Sequence, residues 1–293
     1  MFNFAKNFKT NKMKKLILVA ATSVALFLSQ DISAQAEKGA YVSINAGYGF
    51  GAGNNSNEVL GSRWGMFNLT QNTPLTSTSE FANVSLGKGL NFGAAFGYMF
   101  NKYVGGELGI SYLMGGKSDA KQTFLSGDYI NDSVEAKMLQ IKPTLVISGG
   151  FSKINPYAKF GIVIGVGTSV NIEREERDGT DLYMNKTEFS GTTSIGFQGG
   201  AGLLYSLNDK ISLFGELNLV NLSYSPEKAS FTEYTLNGVN VLPALDVSDK
   251  EIRFSDTIVS NAGPSNPTIP TQELKTTFNL GSLGLNFGMR YNF

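Results

Sequence analysis

From Gly39 onward, apolar and polar residues alternate in long runs, and a period of two sends successive side chains to opposite faces of a strand. The run from Thr277 to Phe293 carries Leu283, Leu285, Phe287, Met289, Tyr291 and Phe293 on one face, and Ser282, Gly284, Asn286, Gly288, Arg290 and Asn292 on the other. The first run sets Ala40, Val42, Ile44, Ala46, Tyr48 and Phe50 against Tyr41, Ser43, Asn45, Gly47 and Gly49. Eight such runs predict strands over about 39–51, 89–101, 103–115, 136–149, 156–170, 189–207, 211–224 and 275–293. Pro143, in the fourth, has no backbone donor for a ladder, so a bulge or local break is expected there.

The connections alternate strictly in length. Those at 101–102, 151–155 and 208–210 are short, whereas those at 52–88, 116–135, 171–188 and 225–274 are long and rich in Asn, Ser, Thr, Asp and Gly. Tyr98, Phe100, Tyr103, Phe151, Tyr157, Tyr205, Tyr291 and Phe293 gather at the short turns, and Tyr48, Phe50, Tyr112, Phe189 and Tyr224 mark the opposite ends. Two aromatic girdles around an apolar band, with brief turns on one side and large loops on the other, predict an all-β fold. The expected form is an eight-stranded antiparallel up-and-down transmembrane β-barrel with four long extracellular loops and short periplasmic turns. A soluble sandwich or lipocalin-like barrel also alternates, but its bulky face points inward. Here the face opposite the bulky one is crowded with Gly, Ser and Asn, which suits a barrel inverted for lipid.

Lys14 and Lys15 precede the apolar run Leu16–Leu28, and Ala34-Gln35-Ala36 follows as a small-x-small cleavage site, so residues 1–36 read as a secretory signal peptide, with Met13 an alternative start. The run falls short of the ~20 residues a spanning helix needs. Residues 37–293 are then the barrel domain. Removing five lysines and Asp31 with the signal takes the chain from 24 basic and 24 acidic residues to 19 and 23, so no basic surplus points to nucleic acid. The chain has neither Cys nor His, which excludes disulfides, thiolate chemistry, Ser-His-Asp catalysis and the usual zinc sets. No cofactor is expected. Asp246, Asp249, Glu251 and Asp256 lack the spacing of a calcium loop, the run Glu173–Asp178 reads as a solvated mixed-charge loop, and Trp64 as a packing anchor within the first loop. Glycines such as Gly47, Gly49, Gly161, Gly165 and Gly167 relieve crowding in a narrow sheet.

Five charges share the polar face of the strands: Glu107, Lys142, Lys159, Glu216 and Arg290. Eight strands leave an interior just wide enough for side chains to fill. Glu107 and Glu216 are therefore expected to pair with Lys159, Arg290 and Lys142 as a luminal plug, the alternative being a gate whose pairs switch.

The terminal run, with Phe287, Met289, Tyr291 and Phe293 on its oily face, resembles the closing strand of bacterial outer-membrane β-barrels. With the signal peptide, it places the chain near the small superfamily of OmpA-like, OmpX-like, OmpW-like and opacity-adhesin proteins. That resemblance implies an outer-membrane location in contact with lipid bilayer and lipopolysaccharide. It also implies recognition of the last strand by the barrel-assembly machinery. Unlike full-length OmpA-type proteins, the chain is expected to have no domain after the barrel, because Phe293 ends both. The enzymatic barrels of this membrane lean on His, which is absent. Two functional readings follow: a non-enzymatic protein presenting loops for adhesion, surface contact or envelope integrity, or a narrow porin or OmpW-like channel for small apolar molecules. A folded membrane barrel resists detergent until heated. The membrane fraction should therefore hold a species whose gel mobility shifts between unboiled and boiled samples, and a freely soluble species with no shift would reject the lipid-facing assignment.

Overall fold

A computed structural model describes residues 38–52, 66–258 and 266–293. The signal segment 1–36 and Trp64 lie outside the described residues. Eight long strands carry the architecture: β1 (Gly39–Gly51), β2 (Gly89–Met99), β3 (Val104–Gly115), β4 (Tyr129–Ser148), β5 (Ile154–Asp178), β6 (Ser194–Ser206), β7 (Ile211–Asn221) and β8 (Ser282–Asn292). Each pairs antiparallel with the next, and β8 pairs back onto β1. The cycle leaves these strands no open edge.

Register fixes the lean of the strands. Followed once round, the partners run from Tyr41 through Gly97, Glu107, Thr144, Gly161, Gln198, Val220 and Ser282, and return to β1 at Gly51, ten residues beyond the start. A closed sheet with such a climb needs strands tilted by about 40°. On β1 the outward positions run from Ala40 to Phe50, so the band they form is about 25 Å tall at ~3.3 Å per residue and that tilt.

Alternation decides which face looks out. Ile44, Phe96, Ile110, Leu145, Phe160, Phe197, Leu217 and Phe287, one from each strand, are exposed on the outer face, while Ser43, Ser111, Gln140, Thr144, Ser194, Ser212 and Asn286 are buried inside. A continuous apolar band of this extent is the inverse of a soluble protein's surface. Inside, space is short: a β-carbon added at Gly97 would fall within the ring of fully buried Tyr41.

Beyond the band the structure departs from the sequence pattern. Of the segments expected as long polar loops, 116–135 and 171–188 are mostly strand, and the described parts of 52–88 and 225–274 hold further strands. β4 and β5 extend far past 136 and 170, Ser118–Thr123 pairs with β4, and Asp181–Ser190 pairs with the outer half of β5. Phe189 belongs to that added strand, so β6 begins at Ser194 instead of 189. The charged run Glu173–Asp178 is therefore the end of a strand and not a loop. Phe67–Thr73 and Thr76–Phe81 form a hairpin, Lys228–Leu236 continues the sheet from Asp181–Ser190, and Glu251–Ser255 and Thr271–Leu274 follow it. The last run is divided as well. Ser223–Tyr224 pairs with Phe278–Asn279 as a separate small sheet, and β8 starts only at Ser282.

One bulge explains much of this. Between the pairs Lys137↔Ser169 and Leu139↔Val166 β5 carries an extra residue, with Gly167 at φ 60°; glycine takes that left-handed conformation without steric penalty. The phase flips there. Tyr157, Val163 and Gly165 face inward before the bulge, and Thr168, Val170 and Ile172 after it. At Pro143 no bulge occurs: Leu108↔Pro143 is in register with β3, and the ladder to β5 passes from Ile141↔Ile164 to Thr144↔Gly161 in unchanged phase, so the missing donor leaves only a gap.

The crown formed by these extensions has its own dry core. Met66, Val84, Leu86, Met138, Ile172, Phe189, Tyr224, Phe278 and Leu280 are all buried in one cluster. Phe189 stacks on Phe254 at 6.0 Å and meets Phe278 edge-on at 5.2 Å. Phe189 and Tyr224 thus face inward and do not belong to the outer girdle, nor does Tyr157, which is buried in the lumen at the other end. The outer aromatics at the crown side are Tyr48, Phe50 and Tyr112.

If hydrocarbon solvates the band, Leu217→Arg should destabilise the protein by about 2 to 4 kcal/mol in urea titrations of vesicle-folded protein. Gly97→Val should cost about 1 to 3 kcal/mol by overpacking the interior. Leu125→Arg, at an exposed turn of the crown, should leave the midpoint unchanged.

Candidate functional site

The alternation that faces leucines outward brings charged side chains from alternate strands to one level of the interior. Lys159 on β5 is the hub. Its Nζ donates to Glu107 Oε1 at 2.9 Å and lies 3.3 Å from Glu216 Oε2, joining β3, β5 and β7 across the bore. Two tyrosines complete the carboxylates: Tyr41 Oη donates to Glu107 Oε2 at 2.9 Å, and Tyr157 Oη to Glu216 Oε2 at 3.0 Å. Phe214 packs edge-on against Tyr157 at 6.5 Å and closes the same layer.

Arg290 and Lys142 behave differently from the expected pairing. The Arg290 guanidinium lies 3.9 Å from the Tyr41 ring centroid, a cation–π contact, and its Nε has no hydrogen-bond partner. Among the described residues Lys142 forms no ion pair. Its side chain lines a cavity of about 50 Å³ together with Glu107, Glu216, Ser111, Asn218 and Asn286. That volume suits one or two waters among polar groups, and Asn218 Oδ1 there is without a protein partner. Above it, Ser111 donates to Gln140 at 3.1 Å and Gln198 to Thr144 at 2.7 Å. The apolar crown core then follows.

Tyr41 and Tyr157 escaped the sequence reading as site residues, because their rings look like girdle aromatics or polar-face fillers until the fold places a glutamate opposite each. A second omission is the Arg174–Asp132 pair. Arg174 Nε donates to Asp132 Oδ1 at 2.7 Å and a terminal nitrogen to Oδ2 at 3.0 Å, with the carboxylate buried. The two are register partners across the β4–β5 hairpin, so strand pairing creates the contact. Nearby, a hydrogen bond from Lys117 at 2.6 Å holds the Glu173 carboxyl below its ordinary value, and Lys186 is raised by its bond to Glu233 at 2.8 Å. A lowered carboxyl stabilises the folded state at neutral pH and loses that contribution as pH falls through its folded value. Both partners are exposed, so the effect is small. Asp246, Asp249, Glu251 and Asp256 do not converge on a metal-sized cluster among the described residues, and Asp256 pairs with Lys275 at 2.9 Å. Phe287, Met289, Tyr291 and Phe293 all lie on the outer face of β8 or just beyond it, with Tyr291 and Phe293 in edge contact at 5.4 Å.

A cyclic sheet with oily outer and polar inner faces is the architecture that one family model describes. Residues 17–241 match the outer membrane protein beta-barrel domain. The chain belongs to this family of outer-membrane β-barrels. β8 lies past the matched region, yet it pairs with both β7 and β1 and so completes the same sheet. Among solved structures the chain is similar to outer membrane protein OprG from Pseudomonas aeruginosa, at 14% identity over 87% of this chain and 96% of that one, with a TM-score of 0.42. It is also similar to neisserial surface protein A, at 12% identity over 87% and 97%, TM-score 0.33. The attachment invasion locus protein Ail of Yersinia pestis is a third, at 11% identity over 88% and 100%, TM-score 0.31. No curated protein matches the sequence. As a family member, the protein is placed in the outer membrane.

Removing the hub tests the layer. Lys159→Met leaves two carboxylates facing each other without their ion-pair partner and should cost about 3 to 5 kcal/mol in urea titrations at pH 7. Repeating the titration on the triple variant Glu107→Gln/Lys159→Met/Glu216→Gln should recover most of the loss. A single variant as stable as wild type would show that the layer holds nothing together.

Proposed function

We propose that this chain is an eight-stranded up-and-down transmembrane barrel, short turns in the periplasm and crown outside the cell, that acts as a non-enzymatic surface protein. Its lumen is sealed rather than conducting. The observation that carries this reading is the layering of the bore. A charge layer centred on Lys159 lies beneath a polar cavity of about 50 Å³, and a dry apolar core caps both. Glu107, Lys142, Lys159, Glu216 and Arg290 are on this view a structural plug.

The crown is the working surface. Its hairpins are tied to the wall by the bidentate Arg174–Asp132 pair and by the crown core, so they present a shaped face for adhesion or envelope contacts. Strand Thr76–Phe81 is exposed along its whole length and supplies unpaired backbone groups at that face. The oily outer face of β8, with Phe287, Met289, Tyr291 and Phe293, is the surface we assign to the barrel-assembly machinery.

A narrow channel is the second reading, favoured by one observation: Lys142 stands in the luminal cavity without an ion-pair partner among the described residues. Planar-bilayer recordings separate the two. The wild type should carry little steady current, and the Lys159→Met variant should show intermittent leakage with lowered stability. Regular, ohmic single-channel steps from the wild type would replace the surface reading with transport.

A further inference from the structure

One end of the crown sheet is left open. Strand Thr76–Phe81 pairs with Phe67–Thr73 on one side only, stands last in the strand order among the described residues, and is exposed at every position. Such an edge offers a row of backbone donors and acceptors, and proteins ordinarily blunt it with lysine, proline or a bulge on the edge strand. None of these occurs between Thr76 and Phe81, since the one irregularity of the hairpin, at Gln71/Thr73, falls on the inner strand. Charge does not guard it either, because Glu80 is the single charged residue from Phe67 to Phe81. Two large apolar side chains flank the strand in the crown, Leu75 at 95% exposure and Phe81 at 65%.

The strand is complementary to itself. Two copies related by a two-fold axis pair antiparallel, and since partners across a ladder share a face, the axis falls on a residue and not between two. Thr78 is the middle of the span 75–81. An axis there sets Thr78 against its own copy, Ser77 against Ser79 and Thr76 against Glu80, and it brings Leu75 of each copy to Phe81 of the other. No charge meets its like, the carboxylate faces a hydroxyl, and both exposed apolar groups gain a partner. An axis at Glu80 would oppose two carboxylates, and one at Thr76 would leave Phe81 uncovered. The same axis decides how the two molecules stand. It is perpendicular to a sheet that continues the barrel wall, so it lies along the membrane plane and turns the second copy upside down. We propose that strand Thr76–Phe81 joins two copies of this chain across facing outer membranes, by antiparallel pairing about Thr78, and so makes the crown a homotypic cell-to-cell contact. The inference deepens the surface role proposed above and rests on its orientation, with the crown outside. One short pairing is weak, and many copies on two apposed surfaces multiply it.

The test uses cells with short lipopolysaccharide that display the whole protein, scored for clumping by microscopy, with two fluorescent labels to tell populations apart. Cells carrying the wild type should clump with one another and leave cells without the protein dispersed. Thr78→Lys sets two lysines face to face at the axis and Thr78→Glu two carboxylates, so either population alone should stay dispersed. Mixed together, the two should clump again, in aggregates that hold both labels. Both variants lose the hydroxyl that accepts from Asn72 at 2.8 Å, so an effect of that loss alone would persist on mixing. Leu125→Arg, on another exposed turn of the crown, should clump as the wild type does. Recruitment of cells without the protein would overturn the second copy in favour of another surface component. Clumping of Thr78→Lys cells at the wild-type level, or mixed charge variants that stay dispersed, would overturn pairing about Thr78. Each membrane fraction is checked for the heat-dependent gel shift. A wild type without the shift overturns barrel and contact together, whereas a shifted wild type whose cells stay dispersed overturns the contact alone.

Discussion

Hydrocarbon offers no hydrogen bonds, so a strand that crosses a membrane must find partners for its backbone on both sides. That requirement organises this molecule. β8 meets β1 and completes the cycle of long strands, and in the barrel proposed above such a cycle leaves a bore that side chains alone can fill. Everything inside is then decided by crowding. Where a ring such as Tyr41 enters the bore, the facing position has room only for glycine, and where charge enters, it must find its counter-charge within the same narrow layer.

Lys159 meets that demand by lying between two glutamates: Glu107 gives one oxygen to Lys159 and the other to Tyr41, whereas Glu216 meets both Lys159 and Tyr157 through the same oxygen, Oε2. Desolvating a lone ion inside a wall would cost several kcal/mol, and shared pairing together with the tyrosine hydroxyls offsets that cost. Arg290 is accommodated by a different interaction, the face of Tyr41, which accepts a cation without supplying a negative charge. The layer thus couples five strands through their side chains, at the end of the molecule where the connections are shortest. The crown couples β3, β4, β5 and β7 through apolar packing at the other end. Between them lies a space fit for a water or two, the observation on which the proposed sealed bore rests.

The wall was legible because its two environments differ so sharply. Each run from β1 to β8 reads oily on one side and small or polar on the other, and the charges at 107, 142, 159, 216 and 290 share a face because a register slip would send them into lipid. What the alternation could not reveal was partner choice. Nothing in the chain says that Arg290 takes a ring while Lys159 takes both carboxylates, since those outcomes depend on angles around the bore. The crown was misread for a related reason: once a strand leaves lipid, polar residues are welcome on its outer face, and a strand such as Asp181–Ser190 looks like a loop.

The sequence by itself determined the strand phase, the order of short and long connections and the set of charges inside, because a two-residue period is a local property that lipid on one side makes unambiguous. Only the tertiary structure decided where that period breaks. The extra residue at Gly167 reverses the faces of β5, turns Val170 and Ile172 inward and makes the crown core possible. That feature arises from how strands meet in space, and pairing between residues distant in the chain is information that local alternation does not carry.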